Sequence, residues 1–317
     1  MTSLEKRPLG RTGVDVTVLG FGAMELRGVR HRNPRPLEEG QAANVLNAVL
    51  DAGINFIDTS IDYGASESHI GNAISHRRDE YLLASKAGCP LDGERFVDAP
   101  PGPLPHDFSR ENIRKGVEQS LRRLQTEYLD LLQLHISPPL STIESDDVVE
   151  TLLGLKGEGK IRFIGSSSTI PNIVDHIELK TFDAFQVPYS LLEREHEDAI
   201  SWAHEQGAGV IVRGGVARGG PAQGQPTRKN VWEVWDAEHF DDLLDPGETR
   251  VEFTLRFTLS HPGLSTTIVG TSSADHVVKN VATALKGPLP GDVYAEAKRR
   301  LDAAGQIPTR LDRTGSN

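Results

Sequence analysis

The sequence predicts an α/β fold, a (β/α)8 TIM barrel. Three observations carry this. Apolar, β-favouring runs alternate with helical stretches eight times along the chain. Several runs, such as YLDLLQLH (128–135) and AGVIVRGG (208–215), are nearly continuous in apolar residues, as parallel strands covered on both faces require. Each run also closes on a polar or charged residue, at the end where such barrels build their sites.

The elements follow in order. VTVLGFG (16–22) is the first strand, and a helix from about Leu37 to Ala52 follows, with Ala42, Val45, Leu46, Val49 and Leu50 at helical spacing. INFID (54–58) is the second strand, SHIGNAIS (68–75) a short helix and YLLASKAG (81–88) the third strand. Ser109 caps the next helix, where Ile113, Val117, Leu121 and Leu124 line one face. YLDLLQLH is the fourth strand. Ser145, Asp146 and Asp147 open a helix in the sense the helix dipole favours, and Gly157 and Gly159 stop it. IRFIGSSS (161–168) is the fifth strand, followed by a helix near 171–179. FDAFQVPYS (182–190) is the sixth, with a helix over 196–206. AGVIVRGG is the seventh, followed by a long insert and a helix from about Arg250 to Ser260. STTIVGTSS (265–273) is the eighth, and Asp275 to Leu285 form the last barrel helix.

A doubly wound sheet is the competing arrangement. Its only glycine-rich candidate, GFGAM (20–24), lacks the third glycine and no helix follows at once. Two connections, 89–108 and 216–249, exceed the usual loop length and follow strands three and seven on the face where strands end. No change of composition marks a linker, so residues 1–317 read as a single barrel domain with a loose polar tail from about residue 305.

Composition sets bounds on function. A net charge of −11 disfavours a general affinity for nucleic acid or anionic membranes. No apolar run approaches the ~18 residues of a membrane span, and MTSLEKRPLG has no apolar core of signal-peptide length. Cys89 is the only cysteine, which excludes an internal disulfide and fits a reducing, cytoplasmic compartment. The histidines show no metal-ligand spacing with acids or thiols, so no metal is expected.

Barrel topology gathers the strand-end residues into one ring: Asp58 with Tyr63, Lys86, His135, Ser166 to Ser168, Gln186, Arg213 and Ser272. Alone, each reads as a satisfied structural residue. Together, an acid, a phenol, an amine and an imidazole on neighbouring strands make a chemical set. An ammonium beside a tyrosine lowers its pKa, a carboxylate keeps the amine charged, and a histidine orients a carbonyl oxygen toward the phenol. That set suits general-acid protonation of a carbonyl as a nucleophile arrives at carbon. A hydride nucleophile requires a cofactor. Asp62 and Glu67 read as turn and helix-start residues, and Cys89 as packing.

At this point the sequence resembles the aldo-keto reductase superfamily from about residue 6 to 285. The resemblance rests on RPLGRTGVDVTVLGFGAM as opening hairpin and first strand, GINFIDTSIDYG, LLASKAG, IRKGVEQSLRRLQTEYLDLLQLH, GKIRFIGSSS, FQVPYSLLER and TTIVGTSSADHVVKN, in the family's order and spacing. It implies a cytosolic NAD(P)H-dependent oxidoreductase that reduces a small-molecule aldehyde or ketone, with NADPH expected over NADH. It assigns Tyr63 as proton donor, Asp58 and Lys86 as its tuning pair and His135 as the carbonyl-orienting residue. It puts Met24 near the nicotinamide ribose and Ser167, Ser168 and Gln186 on the carboxamide. Arg213 falls at the nicotinamide ring, with Gly215, Val216 and Arg218 at the pyrophosphate. Ser272, His276 and Asn280 fall at the adenosine end.

Four departures stand out. Ser168 replaces the family's asparagine, and Arg213 replaces an aromatic residue that stacks on the nicotinamide. Gly270, Ser273 and His276 occupy places where residues binding the 2′-phosphate are often found. The C-terminal tail is short and polar. Two other readings stand beside the reductase: a Schiff-base lyase or aldolase using Lys86, and a cofactor-binding regulatory subunit with little turnover. Trp232 and Trp235, in the insert after strand seven, read as loop anchors or a cofactor lid. APPGPLP (99–105) reads as a stiff surface loop at the substrate mouth.

Overall fold

In a computed structural model, the chain is described at residues 3–29, 31, 34–91, 105–217 and 231–313. Eight parallel strands close into a barrel: β3 (Leu19–Gly22), β4 (Phe56–Asp58), β5 (Leu82–Ala87), β6 (Leu129–His135), β7 (Ile161–Ser167), β8 (Ala184–Pro188), β9 (Gly209–Arg213) and β10 (Thr266–Val269), with β10 paired back onto β3. The (β/α)8 fold expected from the sequence is therefore present. The predicted first strand is in fact two. Asp15–Thr17 forms β2, which pairs antiparallel with β1 (Lys6–Pro8), and β3 starts anew at Leu19.

The hairpin plugs one end of the barrel. Leu9 and Val16 pack in a small interior cluster with Phe56, Ala84, Leu131, Ala184, Ile211 and Ile268. Leu9 lies so close to β9 that a side chain on Gly209 would meet Leu9 Cδ1 at 2.7 Å. Side chains two apart on a strand face the same way. The residues two steps along from this apolar layer are Asp58, Lys86, Gln133, Gln186 and Arg213. An oily floor is thus topped by a polar layer, and His135 stands one further step up. On β7 the equivalent position is Gly165, where a Cβ would meet Gln133 Cγ and Leu131 Cδ1 at 3.0 Å, so the missing side chain leaves room for Gln133.

The outer shell is built by helices whose apolar stripes cover the strands. The helix Gln41–Asp51 buries Val45, Leu46 and Val49, and Arg110–Leu124 buries Ile113, Val117 and Leu121 behind its Ser109 cap. The helix expected to open at 145–147 is divided. Leu140–Ser145 is a separate short helix, and Asp147, at φ 51°, precedes Val148–Gly157 without a side-chain cap. Two further helices, Val231–Ala237 and Gly291–Ala303, are not among the elements expected from the sequence. The described part of the tail is tied down rather than loose. Arg194 Nη1 donates to Gln306 O (3.2 Å), Thr309 N to Glu195 O (3.2 Å) and Leu311 N to Asp198 Oδ2 (2.9 Å). Trp235 is fully buried, edge-on to Phe253, and its Nε1 donates to Asp241 Oδ1 at 2.8 Å, so it anchors its helix. The side chain of Trp232, most of APPGPLP, and Arg218 lie outside the described residues.

Candidate active site

Asp58 sits at the last position of β4 and is almost completely buried. Its Oδ2 accepts from Lys86 Nζ at 2.7 Å. Its Oδ1 accepts from Gln133 Nε2 and from Gln186 Nε2, both at 2.8 Å. A buried carboxylate persists only when it is paired and hydrogen-bonded, and this one meets three donors from three strands. Lys86 Nζ also donates to the Thr59 carbonyl at 2.7 Å. Burial works against the Lys86 ammonium, but Asp58 and Tyr63 outweigh it and its pKa stands above the ordinary lysine value.

Tyr63 follows β4 in a turn in which its N–H donates to Ser60 O at 3.1 Å. Lys86 Nζ lies 4.9 Å from the centre of its ring. The sequence reading has the lysine lowering the phenol's pKa. It does pull downward, but burial outweighs it, and the phenol is pushed up to about 12. His135 closes β6 with its ring 6.1 Å from that of Tyr63 and nearly perpendicular to it. Burial, opposed by Asp62 and helped by Lys86, pushes the imidazole down to about 3, so it is neutral at ordinary pH.

Three residues with bland sequence roles take part in this region. Asp62 Oδ1 accepts from Ser60 Oγ (2.7 Å) and lies 3.8 Å from His135 Nδ1. Cys89 Sγ lies 3.0 Å from the same nitrogen. Glu67, in the first turn of the helix Ser66–Ile74 as expected, is also a buried carboxylate behind β5. It accepts from Ser85 Oγ at 2.8 Å and lies 3.5 Å from Arg123 Nη1. Gln133, not among the residues expected from the sequence, is the fourth member of the Asp58 cluster. Only its i+2 relation to Leu131 could have marked it, as Lys86 is marked by Ala84.

The other predicted positions separate into groups. Ser167 Oγ donates to Gln186 Oε1 at 3.2 Å, which ties both to the Asp58 cluster. Ser168 is turned elsewhere. It is fully buried, 2.5 Å from Ser166 Oγ and 3.1 Å from His176 Nδ1, while His176 Nε2 donates to Pro138 O. Arg213 borders a cavity of ≈ 300 Å³ with Thr169, Glu193, His196 and Thr309. Beyond it the chain turns at Gly214 (φ 75°), and Ala217 N donates to Gly214 O. Among the described residues, the Gly215 and Val216 amides meet no acceptor. Gly215 is tightly seated, and a Cβ there would lie 2.2 Å from Thr267 Oγ1.

At the β10 end, His276 Nδ1 lies 3.2 Å from Thr271 Oγ1 and Asn280 is half-buried on the helix Ala274–Leu285. Met24 lies partly exposed in the short helix after β3. Arg35, from the connection after β3, donates to Ser272 Oγ through Nη2 (3.1 Å) and pairs with Glu25 at 2.7 Å. Gln41 Nε2 donates to Ser272 O. The sequence reading finds no cation for this region, and Arg35 supplies one.

Comparison with known proteins agrees with this architecture. The Aldo/keto reductase family model matches residues 18–301. The uncharacterized oxidoreductase YqkF of Bacillus subtilis is 30% identical over 298 residues, covering 89% of this chain and 91% of its own. The L-galactose dehydrogenase of Arabidopsis thaliana is 31% identical over 302 residues, covering 89% and 88%. The holo form of an aldo-keto reductase from Bacillus halodurans superposes with a TM-score of 0.79 at 28% identity, covering 99% of this chain and all of that one. No described helix is long and apolar enough to cross a membrane. The chain belongs to the aldo/keto reductase family of oxidoreductases.

Proposed function

We propose that this protein reduces aldehydes or ketones to alcohols with a nicotinamide cofactor, NADPH in preference to NADH, and that it acts in the cytoplasm. The observation that carries the reading is the buried Asp58–Lys86 pair, 2.7 Å apart, with Lys86 Nζ 4.9 Å from the Tyr63 ring. A bound reduced nicotinamide supplies the hydride. Tyr63, protonated across the ordinary pH range, donates its proton to the carbonyl oxygen. As that proton leaves, the phenolate is stabilised by the Lys86 charge, so the pair acts more strongly in the transition state than in the ground state. Neutral His135 holds the carbonyl oxygen beside the phenol. Asp58 keeps Lys86 in place and charged.

The residues present fit such a cofactor. The amides of Gly215 and Val216, which meet no acceptor among the described residues, lie in a turn suited to a pyrophosphate, and Arg218 follows in sequence. Ser167 and Gln186 would hold the carboxamide. Ser168 contributes by fixing the β7 end through His176, not by direct contact. Arg213 would face the ring, where the family has an aromatic residue. Met24 would line the ribose. Ser272, His276 and Asn280 would receive the adenosine, and Arg35 beside Ser272 would meet the 2′-phosphate.

The Schiff-base alternative needs a neutral amine, whereas Lys86 is held above its ordinary pKa. An aldehyde and ketone panel run in parallel with NADPH and NADH, followed by absorbance of the reduced cofactor, tests the proposal. Carbonyl-dependent oxidation of NADPH is expected. Borohydride trapping of substrate on Lys86, with no such oxidation, would point to the lyase chemistry instead.

A further inference from the structure

Cys89, His106 and His135 lie far apart in sequence, yet one ligand atom from each falls within 4.8 Å of the other two. Cys89 follows β5, His135 ends β6, and His106 lies where the chain returns toward the helix Arg110–Leu124. Cys89 Sγ is 3.0 Å from His135 Nδ1, and the two imidazole rings are 5.3 Å apart and nearly perpendicular. We propose that these three side chains form a binding site for a thiophilic divalent cation of the zinc class, and that a cation held there shuts the candidate active site.

The donor set and its support favour this. One sulfur and two imidazole nitrogens suit zinc or cobalt and not magnesium or calcium. Zinc sits about 2.3 Å from sulfur and about 2.0–2.1 Å from nitrogen, which sets tetrahedral ligand separations near 3.5 Å. The present separations reach that value with shifts of about 1 Å. The two segments carrying Cys89 and His106 are clasped together. Asn112 Nδ2 donates to both Cys89 O (3.2 Å) and Asp107 O (2.6 Å), and Asp107 N donates to Gly88 O at 2.9 Å. His106 is further held against Phe108, ring to ring at 6.0 Å. The Asp62 carboxylate, 3.8 Å from His135 Nδ1, adds favourable charge, and the opposing Lys86 charge is already paired with Asp58.

Binding is a simple exchange: the Cys89 S–H bond breaks, a sulfur–metal bond forms, and one proton is released to solvent. Three protein ligands leave the fourth position of a tetrahedral ion open. The ion and its water then occupy the space beside Tyr63 and fix the His135 ring. This second half of the proposal rests on the roles given to Tyr63 and His135 above. The site is inhibitory, and the reaction needs no metal.

Cys89 is the only cysteine, so a sulfur–metal signal from the full chain has one source. Adding Co2+ to chelator-treated protein should give a sulfur-to-cobalt charge-transfer band in the near ultraviolet at one equivalent. Zn2+ should displace it and Mg2+ should not. Zn2+ should also slow alkylation of Cys89 by iodoacetamide, read by mass. Cys89→Ser should lose the band, and His106→Gln should weaken Zn2+ binding by at least about tenfold, with circular dichroism confirming that both are folded. Absence of the band and of Zn2+ protection in the wild-type protein, or wild-type Zn2+ affinity in His106→Gln, overturns the site. Zn2+ at saturation should abolish carbonyl-dependent NADPH oxidation and EDTA should restore it; binding without inhibition overturns the blocking role. If metal-free protein reduces no carbonyl, the reductase reading fails, while the cobalt and alkylation readouts still decide the site.

Discussion

Gln133 Nε2 donates to Asp58 Oδ1 at 2.8 Å, from a position that solvent does not reach. The amide's other end, Oε1, has no hydrogen-bond partner among the described residues. A buried amide that leaves its acceptor unmet is held there for its donor. The Asp58 carboxylate, and through it Lys86, thus depends on a glutamine from the neighbouring strand as well as on its own ion pair.

Replacing Gln133 tests this dependence. Gln133→Met should destabilise the fold by about 1–3 kcal/mol, because it removes a donor to a charged acceptor, partly offset by loss of the unmet oxygen. Gln133→Glu places a second carboxylate against Asp58. Its folded pKa is raised above the unfolded value, so its stability is retained at low pH and lost as pH rises. Urea unfolding at about pH 5 and about pH 8 should show the Glu variant falling further behind the wild type at the higher pH. Equal gaps at both would remove the like-charge argument.

The pH dependence of turnover follows from two opposite shifts. In the proposed reduction Tyr63 is the acid and must be protonated, and burial pushes its phenol up to about 12. His135 must be neutral, and burial pushes its imidazole down to about 3. Neither group should titrate between about pH 5 and 9, so kcat/KM for reduction should be flat there. Tyr63→Phe should lower kcat by about 10²–10⁴-fold while leaving fluorescence-detected cofactor binding intact. A sharp fall in the wild-type profile near neutrality would reassign the acid.

The barrel was legible in the sequence because its strands are unusual. Leu131, Leu132 and Leu134 make β6 apolar on both faces, and that pattern has few other meanings. Asp58, Lys86 and His135 were legible because each closes such a run. Gln133 lies inside its run, where a polar residue reads as an interruption. Asp62 and Glu67 do lie in a turn and at a helix start, as the sequence suggests, but turns and helix starts favour acids anywhere, so that local grammar is silent on their buried partners. Arg35 comes from a connection with no periodic signal, and only the closure of β10 onto β3 brings Ser272 within its reach. The partnership of Cys89 with His106 depends on a clasp by Asn112 that no spacing rule contains.

Glu67 gives a second pH test, in stability. Burial raises its carboxyl pKa above the ordinary value, against the pull of Ser120, Ser85 and Arg123. A raised folded pKa means that Glu67 contributes stability below the unfolded pKa and loses it as pH rises through the folded value. Glu67→Gln abolishes that titration. The melting-temperature advantage of wild type over Glu67→Gln should therefore be larger at about pH 4 than at about pH 7.5. An advantage that grows with pH would mean that Arg123 holds Glu67 ionised.

Among the described residues, Arg35 beside Ser272 is the cation proposed for a 2′-phosphate. Its guanidinium is partly exposed and already shares Glu25, which limits what it can contribute. Arg35→Ala should raise KM for NADPH by about tenfold and change KM for NADH by less than about twofold. Initial rates with both cofactors separate the effects. An equal rise in both would make Arg35 a structural brace for Ser272.

Gly215 joins tight packing to the proposed cofactor turn. A Cβ at this position would sit 2.2 Å from Thr267 Oγ1 and 3.1 Å from Thr258 Cγ2. Thr267 is β-branched, fully buried on β10 and bonded through Oγ1 to Val212 O, so it has no free rotamer to retreat into. Gly215→Ala should therefore displace the turn, costing about 1–3 kcal/mol of stability and weakening cofactor binding through the Gly215 and Val216 amides. The cause can be isolated, because Thr267→Ala removes the nearest clashing atom and leaves Cβ at 3.4 Å. In a double-mutant cycle, Gly215→Ala with Thr267→Ala should recover most of the lost stability and cofactor affinity, a coupling of about 1–2 kcal/mol. Additive losses would place the strain at Thr258 or in the backbone. Recovered stability without recovered affinity would separate the turn's packing from any role in holding a pyrophosphate.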